Sequence, residues 1–224
     1  MRASDAPGRT NPVPLMAAAE HIDTLSLFPL RSVLFPGGLL ALKVFEARYL
    51  DLVADCLRLQ RPFGVVCLLQ GGEVRNAKSA AVRFENAGVL ARLDEVDSEQ
   101  PGVLHARCTG TRRFRLDGAA AQQADGLWVG RAELLSDDTS APPSAEHLPT
   151  VQALASAIAT LKAQGAEPFK LPHRLDDAGW VANRWCEILP ISLGAKQKLM
   201  ELDDPQVRLQ LVHEYLRGKG VVGA

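Results

Sequence analysis

Between Leu27 and Cys56 the apolar residues change period from extended to helical, and the rest of the chain has to be built around that switch. Phe28-Pro29-Leu30 ends one extended run. Leu34-Phe35-Pro36-Gly37-Gly38 then makes a tight reversal, with proline holding φ and the glycines admitting positive φ. Leu39 to Phe45 has the apolar density of a buried strand and is too short to span a membrane. From Glu46 the spacing becomes helical: Tyr49, Leu52, Val53 and Cys56 fall at i, i+3, i+4 and i+7 and form one stripe. Glu46 sits at the positive helix end, with Arg58 and Arg61 near the other. All of these residues can serve the fold alone.

A chain of 224 residues, 47% of them hydrophobic, can bury one good core or two small ones. Its net charge of -1 argues against a surface built throughout for nucleic acid or anionic lipid, and leaves a local patch open. Cys56, Cys67, Cys108 and Cys186 are widely spaced without a CxxC pair, which predicts buried reduced thiols and no metal. Residues 1–22 carry Arg2 and Arg9 but no apolar h-region. They are expected to be a poorly ordered leader, which places the protein in the cytoplasm, off the membrane.

The pattern divides the remainder into a β-rich part, residues 23–136, and a helical part, residues 148–218, joined by a proline-containing linker over 137–147. Extended segments are expected at Phe63–Leu69, Val82–Phe84, Gly88–Leu93, Val103–Cys108, Arg113–Leu116 and Leu127–Leu135. Residues 74–80 read as a loop, and Asp117-Gly118 and Asp125-Gly126 as turns. Short strands between glycine-containing turns indicate an antiparallel sandwich or barrel. In the second part, Val151, Leu154, Ala155, Ile158 and Leu161 form a helical stripe ending before Gly165. Asp176 or Asp177, Ser192 and Asp204 are expected to cap three further helices. Those helices would turn inward Val181, Trp185 and Ile188, and, in the last, Val207, Leu211 and Tyr215.

Catalytic signatures are missing from the sequence. It contains no GxxxxGK[ST], GxGxxG, HExxH or GxSxG motif, its five histidines are scattered singly, and no cofactor is implied. The aspartate pairs at 176/177 and 203/204 open apolar-periodic runs and read as caps, not as acid–base pairs. One cluster leaves alternatives. Arg107, Arg112, Arg113 and Arg115 surround a strand in which Phe114 and Leu116 face one side, and Arg113 and Arg115 the other. It can be a phosphate-binding surface, a clamp for a peptide carboxylate, or a solvated face that guards a sheet edge.

Five pieces in order, Phe-Pro-Leu, Leu-Phe-Pro-Gly, Phe-Glu-Ala-Arg-Tyr-Leu, Cys56 and Pro62-Phe63-Gly64-Val65-Val66, resemble the N-terminal substrate-binding domain of the Lon protease family. The likeness continues through Gly110-Thr111-Arg112-Arg113-Phe114 and Leu189–Leu199, and covers about residues 24 to 217. The Gly-Thr that often precedes one family strand is absent before Gly88-Val89. The resemblance implies an α+β fold: a small PUA-like antiparallel β-barrel with an inserted helix, followed by a C-terminal α-helical bundle. It also implies a non-enzymatic, free-standing copy without the ATPase and Ser–Lys peptidase of full-length Lon enzymes. Its partners would be unfolded protein or peptide segments, with a protease or other protein acting in trans.

The residues expected to bind are Phe28, Leu30, Leu34, Phe35 and Tyr49, with Arg112, Arg113 and Arg115 as a charged rim. The same apolar residues could instead plug the barrel end. PUA-like barrels also bind RNA, so an RNA-binding module using Arg107, Arg112, Arg113 and Arg115 is the alternative. Against it, aromatics make up 5% of the chain and no basic-aromatic stretch offers stacking platforms. Adaptor, inhibitor and small-ligand roles are not separable by sequence, nor is the oligomeric state.

Overall fold

The computed structural model describes residues 20–73 and 81–223, so the expected loop over 74–80 and nearly all of the leader lie outside the described residues. The fold is mixed α+β. In chain order it comprises β1 (His21–Leu30), β2 (Leu39–Val44), α1 (Ala47–Leu59), β3 (Phe63–Gln70), β4 (Arg83–Gln100), β5 (Val103–Leu116), β6 (Ala121–Gln122) and β7 (Trp128–Leu134). A 3-10 turn (Ala145–His147) then leads into α2 (Leu148–Ala163), α3 (Ala178–Ile188), α4 (Leu193–Glu201) and α5 (Pro205–Gly218).

The seven strands pair in the order β2-β5-β4-β3-β1-β7-β6, and β5 also pairs with β7. Five of them, β1, β3, β4, β5 and β7, therefore form an unbroken cycle of ladders, with β2 and β6 at the ends. The sheet is not purely antiparallel as expected, because β1 runs parallel to β3, Phe28 opposite Val65. A parallel pair needs a long crossover, and β2 plus α1 supply it. β4 and β5 are each one long strand where two segments were expected. Register shifts such as those at Val89/Ala91 and Leu93/Glu95 let them bend without ending.

Every member of the cycle contributes to a compact apolar cluster: Leu25 and Leu27 from β1, Val66 from β3, Leu90 from β4, Phe114 and Leu116 from β5, and Ala132 from β7. Two glycines make room for Phe114, since a Cβ on Gly64 or Gly88 would each lie 2.8 Å from its ring. The larger core lies on the other side of these strands. It joins Phe28, Phe35, Val65 and Val89 to Tyr49, Leu52 and Val53 of α1 and to Leu154, Val181, Trp185, Leu209 and Leu216 of the later helices. At ~1.5–3 kcal/mol for each large side chain buried, this shared core dominates the stability.

Local signals explain the helices. α1 buries its predicted stripe, and Gln60 ends it in the left-handed region at φ 52°. Asp177, Ser192 and Asp204 accept the backbone N–H groups of Trp180, Ala195 and Gln206 at 2.8, 3.2 and 2.8 Å, so capping is their role. In α5 the expected inward stripe holds only at Tyr215, which is half-buried against the core. Val207 and Leu211 are exposed, while Pro205, Arg208, Leu209, Val212, His213 and Leu216 are buried.

Candidate functional site

The second Phe-Pro segment, the turn over residues 35–38, is pinned from two directions, whereas Phe28-Pro29 lies within β1. Gly37 N–H donates to the Gly110 carbonyl at 2.8 Å, and Gly110 N–H returns a bond to Gly38 at 2.8 Å. From α3, the fully buried Arg184 donates to the carbonyls of Gly37 at 2.5 Å and Pro36 at 2.8 Å, and to Glu187 Oε1 at 2.7 Å. Burial raises the Glu187 carboxyl to about 7, against the opposing pull of Arg184 and Lys196. Lys196 reaches into the same place and donates to the Glu187 carbonyl at 2.8 Å.

Two adjoining cavities run past this turn. The first, about 470 Å³, is walled by Leu40 to Glu46 on one side and by Phe28, Leu30 and Ser32 on the other, with Tyr49 and Glu73 completing it. The second, about 280 Å³, shares Leu30, Ser32 and Leu40, then continues over Val33, Leu34 and Leu39 to Phe169, Glu187 and Lys196. Together they make a trough along β2. Phe45 is 50% exposed and Leu39 45% exposed, and they flank it at the two ends of the strand. At its base the Phe28 and Tyr49 rings stack at 3.9 Å and 12°. Burial pushes the Tyr49 phenol up to about 12, which keeps it neutral.

The predicted apolar residues separate on this geometry. Phe28, Leu30 and Tyr49 line the first cavity, and Leu30 and Leu34 line the second; all four are largely buried and present only part of their surface. Phe35 is fully buried and borders neither cavity. Leu39, Leu40 and Phe45 also border these cavities and were not among the expected residues. The signal was available, because β2 is apolar at nearly every position, where a strand with one wet face would alternate.

The arginines do not form a rim. Arg113 is 3% exposed. It donates to the carbonyls of Leu202 at 2.7 Å and Ser136 at 3.1 Å, and faces Asp138 at 3.3 Å and Asp203 at 3.4 Å, which ties β5 to the α4–α5 connection. Arg208 uses the same Asp138 at 2.5 Å. Arg112 pairs with Glu20 and Arg107 with Glu95 at 3.2 Å; Arg115 is exposed. None of the four borders the trough.

Among the described residues no group of His, Cys, Asp or Glu could hold a metal ion, and no helix is long and apolar enough to cross a membrane. All four thiols are buried, and burial holds Cys108 and Cys186 near 12, far from thiolate chemistry. Ser144 Oγ lies 3.1 Å from His147 Nδ1. The buried His147 is held on its other side by Gln210 at 2.6 Å, so this contact fastens the 3-10 turn to α5.

Comparison with known proteins identifies the family. The family model described as the ATP-dependent protease La (LON) substrate-binding domain matches residues 24–218. The chain belongs to the Lon substrate-binding domain family. A crystal structure of a Lon N-terminal domain protein from Xanthomonas campestris is similar, with 34% identity, a TM-score of 0.67, and coverage of 87% of this chain and 99% of that one. The N-terminal domain of a Mycobacterium avium complex Lon protease shares the fold at 18% identity and a TM-score of 0.56, covering 86% of this chain and 97% of that one. A curated relative, Lon protease 2 of Myxococcus xanthus, is 27% identical over 221 residues, 97% of this chain; the match spans 26% of that protein's length. In this Lon-type domain Leu34 borders the second cavity, and the Pro36-Gly37 backbone that follows it is held by Arg184.

Proposed function

We propose that this chain is a non-catalytic recognition protein that holds unfolded protein segments in the trough between β2 and the end of β1. The observation that carries the reading is the continuity of two cavities along β2, flanked by Leu39 and Phe45, whose apolar side chains stay half in water. Family membership adds that a domain of this kind is described as substrate-binding. The cycle of five strands is the arrangement a small PUA-like barrel requires, and α2 to α5 act as a helical subdomain braced against it. A cytoplasmic home, and delivery of the bound segment to a protease or other protein in trans, complete the proposal.

The test is titration of the protein into a fluorescently labelled, carboxymethylated and therefore permanently unfolded protein, followed by anisotropy. Phe45→Ser and Leu39→Ser alter exposed positions and leave the fold intact. Each is expected to weaken binding by about five- to tenfold, with little salt dependence, as loss of a contact of about 1 kcal/mol implies. Unchanged affinity in both variants, or a steep fall in affinity with salt, overturns the proposal.

A further inference from the structure

We infer that the trough takes its occupant as an added β-strand: an extended polypeptide hydrogen-bonds along the free edge of β2 and directs every second side chain onto Phe28 and Tyr49. This rests on the reading above and specifies its recognition chemistry. Among the described residues β2 pairs with β5 alone, from Leu39 opposite Thr109 to Val44 opposite Leu104. The bond from Gly110 N–H to the Gly38 carbonyl sets the phase of that ladder. In an antiparallel pair, alternate residues spend both backbone groups on the partner. Leu40, Leu42 and Val44 therefore face β5, and the N–H and C=O groups of Leu39, Ala41 and Lys43 point away from it.

The lining of the first cavity shows where that free edge leads. Every residue from Leu40 to Glu46 borders it. Side chains of a strand alternate between faces, so a void above one face would touch every second residue; a void touching all of them lies against the edge. Across the void stand Phe28 and Leu30, in the last residues of β1. The β1–β7 ladder stops at Leu27, and beyond it β1 pairs, among the described residues, with β3 alone. The space is bounded by the edge of β2 on one side and, on the other, by the side chains of Phe28, Leu30 and Ser32, so an extended chain that pairs with β2 rests on those side chains.

Side-chain burial states what that chain must look like. Leu42 and Val44 are buried and Leu40 half-buried, on the face shared with Phe28 and Tyr49; Leu39, Ala41, Lys43 and Phe45 are on the outer face. An added strand shares this alternation. It needs apolar residues at every second position and tolerates polar ones between them, over the six residues of β2, about 20 Å. A second folded copy is the poorer occupant, because the wall of Phe28, Leu30 and Ser32 faces the edge and the exposed Lys43 is the kind of residue that blunts edge-to-edge pairing. Strand addition reads backbone more than sequence, which suits a protein that must accept many unfolded chains.

The experiment uses the full chain and a blocked peptide of alternating Leu and Ser with a terminal Lys at each end. Two isomers of it are N-methylated either on the Leu or on the Ser residues. One isomer is expected to bind like the parent and the other at least about tenfold more weakly, since N-methylation of one phase removes the donors and blocks the edge. The amides of Leu39, Ala41 and Lys43 should exchange more slowly in the complex. Ala41→Pro, which deletes an outward N–H at an edge position that tolerates proline, should lose about tenfold with its thermal midpoint nearly unchanged. If both isomers bind like the parent, strand addition is wrong and a side-chain groove remains. If the parent peptide fails to bind at all, the reading of the trough fails with it. Concentration-dependent dimerisation that protects the same three amides without peptide would make a second copy the occupant and overturn the inference. Should Ala41→Pro fail to fold, the two isomers still decide the matter.

Discussion

The rings of Phe28 and Tyr49 stack face to face at 3.9 Å, and this pair joins β1 to the first turn of α1 beneath the trough. Phe63 leans on the same stack at 6.0 Å, and the Arg48 guanidinium lies 4.4 Å from the Tyr49 ring centre. The contact is therefore both floor and fold. Tyr49→Ala is expected to cost about 3 kcal/mol in urea unfolding, from lost area and the cavity left behind. Tyr49→Phe keeps the stack and should stay within about 1 kcal/mol of the parent, because the neutral phenol adds little to ring packing. Equal losses in the two variants would contradict this account.

Gly110 is where β5 passes beneath the second Phe-Pro turn. A Cβ there would lie 2.3 Å from the Phe35 carbonyl oxygen, which is backbone and cannot swing aside. Gly110→Ala is expected to destabilise the protein by about 1 to 3 kcal/mol through overpacking. Gly102→Ala is the contrast: nothing lies near its Cβ, and its positive φ of 79° charges only the local turn strain, about 1 kcal/mol. Chemical denaturation of both variants measures the difference.

What the sequence conveyed and what it concealed follow from the range of the interactions involved. The α1 stripe, the caps at Asp177, Ser192 and Asp204 and the Asp125-Gly126 turn are local, and each lies where its own few residues dictate. The direction of β1 against β3 is not local, since strand periodicity reports faces and not polarity. In α5 the apolar residues offer two stripes. The choice falls to Leu209, Val212 and Leu216 because Arg208 is drawn inside by Asp138, seventy residues earlier. Arg113 hid for the same reason: its acidic partners at 138 and 203 are distant in the chain, and a strand arginine looks solvated until they are placed. The trough itself was half legible, through Phe28, Leu30, Leu34 and Tyr49. Its other wall became visible only when β2 proved to be an edge strand.

Arg113 belongs to the seam between β5 and the later helices. Replacing it by Ala removes a guanidinium from among five carbonyl and carboxylate partners and leaves Asp138 to Arg208 alone. Arg113→Ala is expected to cost about 3 kcal/mol or more in thermal or urea unfolding. Arg107→Ala, at an exposed pair, should change stability by less than about 0.5 kcal/mol. If Arg113→Ala instead left stability intact and reduced the salt dependence of RNA binding, the seam assignment would be wrong.

Glu187 gives the protein a pH signature. Its carboxyl titrates near 7 in the fold, where burial penalises the charged form, against an ordinary value of 4.5. The folded state thus keeps a proton that the unfolded chain releases above about pH 4.5. Stability from this group is fully present below that pH, falls as pH rises towards 7 and is flat beyond. A shift of this size corresponds to about 3 kcal/mol at most. Glu187→Gln keeps the shape and a hydrogen-bond acceptor for Arg184 but cannot titrate, so its stability should fall less steeply than that of the parent across this window. Because Glu187 borders the second cavity beside Lys196, peptide affinity is expected to change over the same pH range in the parent and not in the variant. Urea unfolding and peptide titration at pH 5 and pH 8 check both expectations, and parallel pH profiles for the two proteins would remove Glu187 from the account.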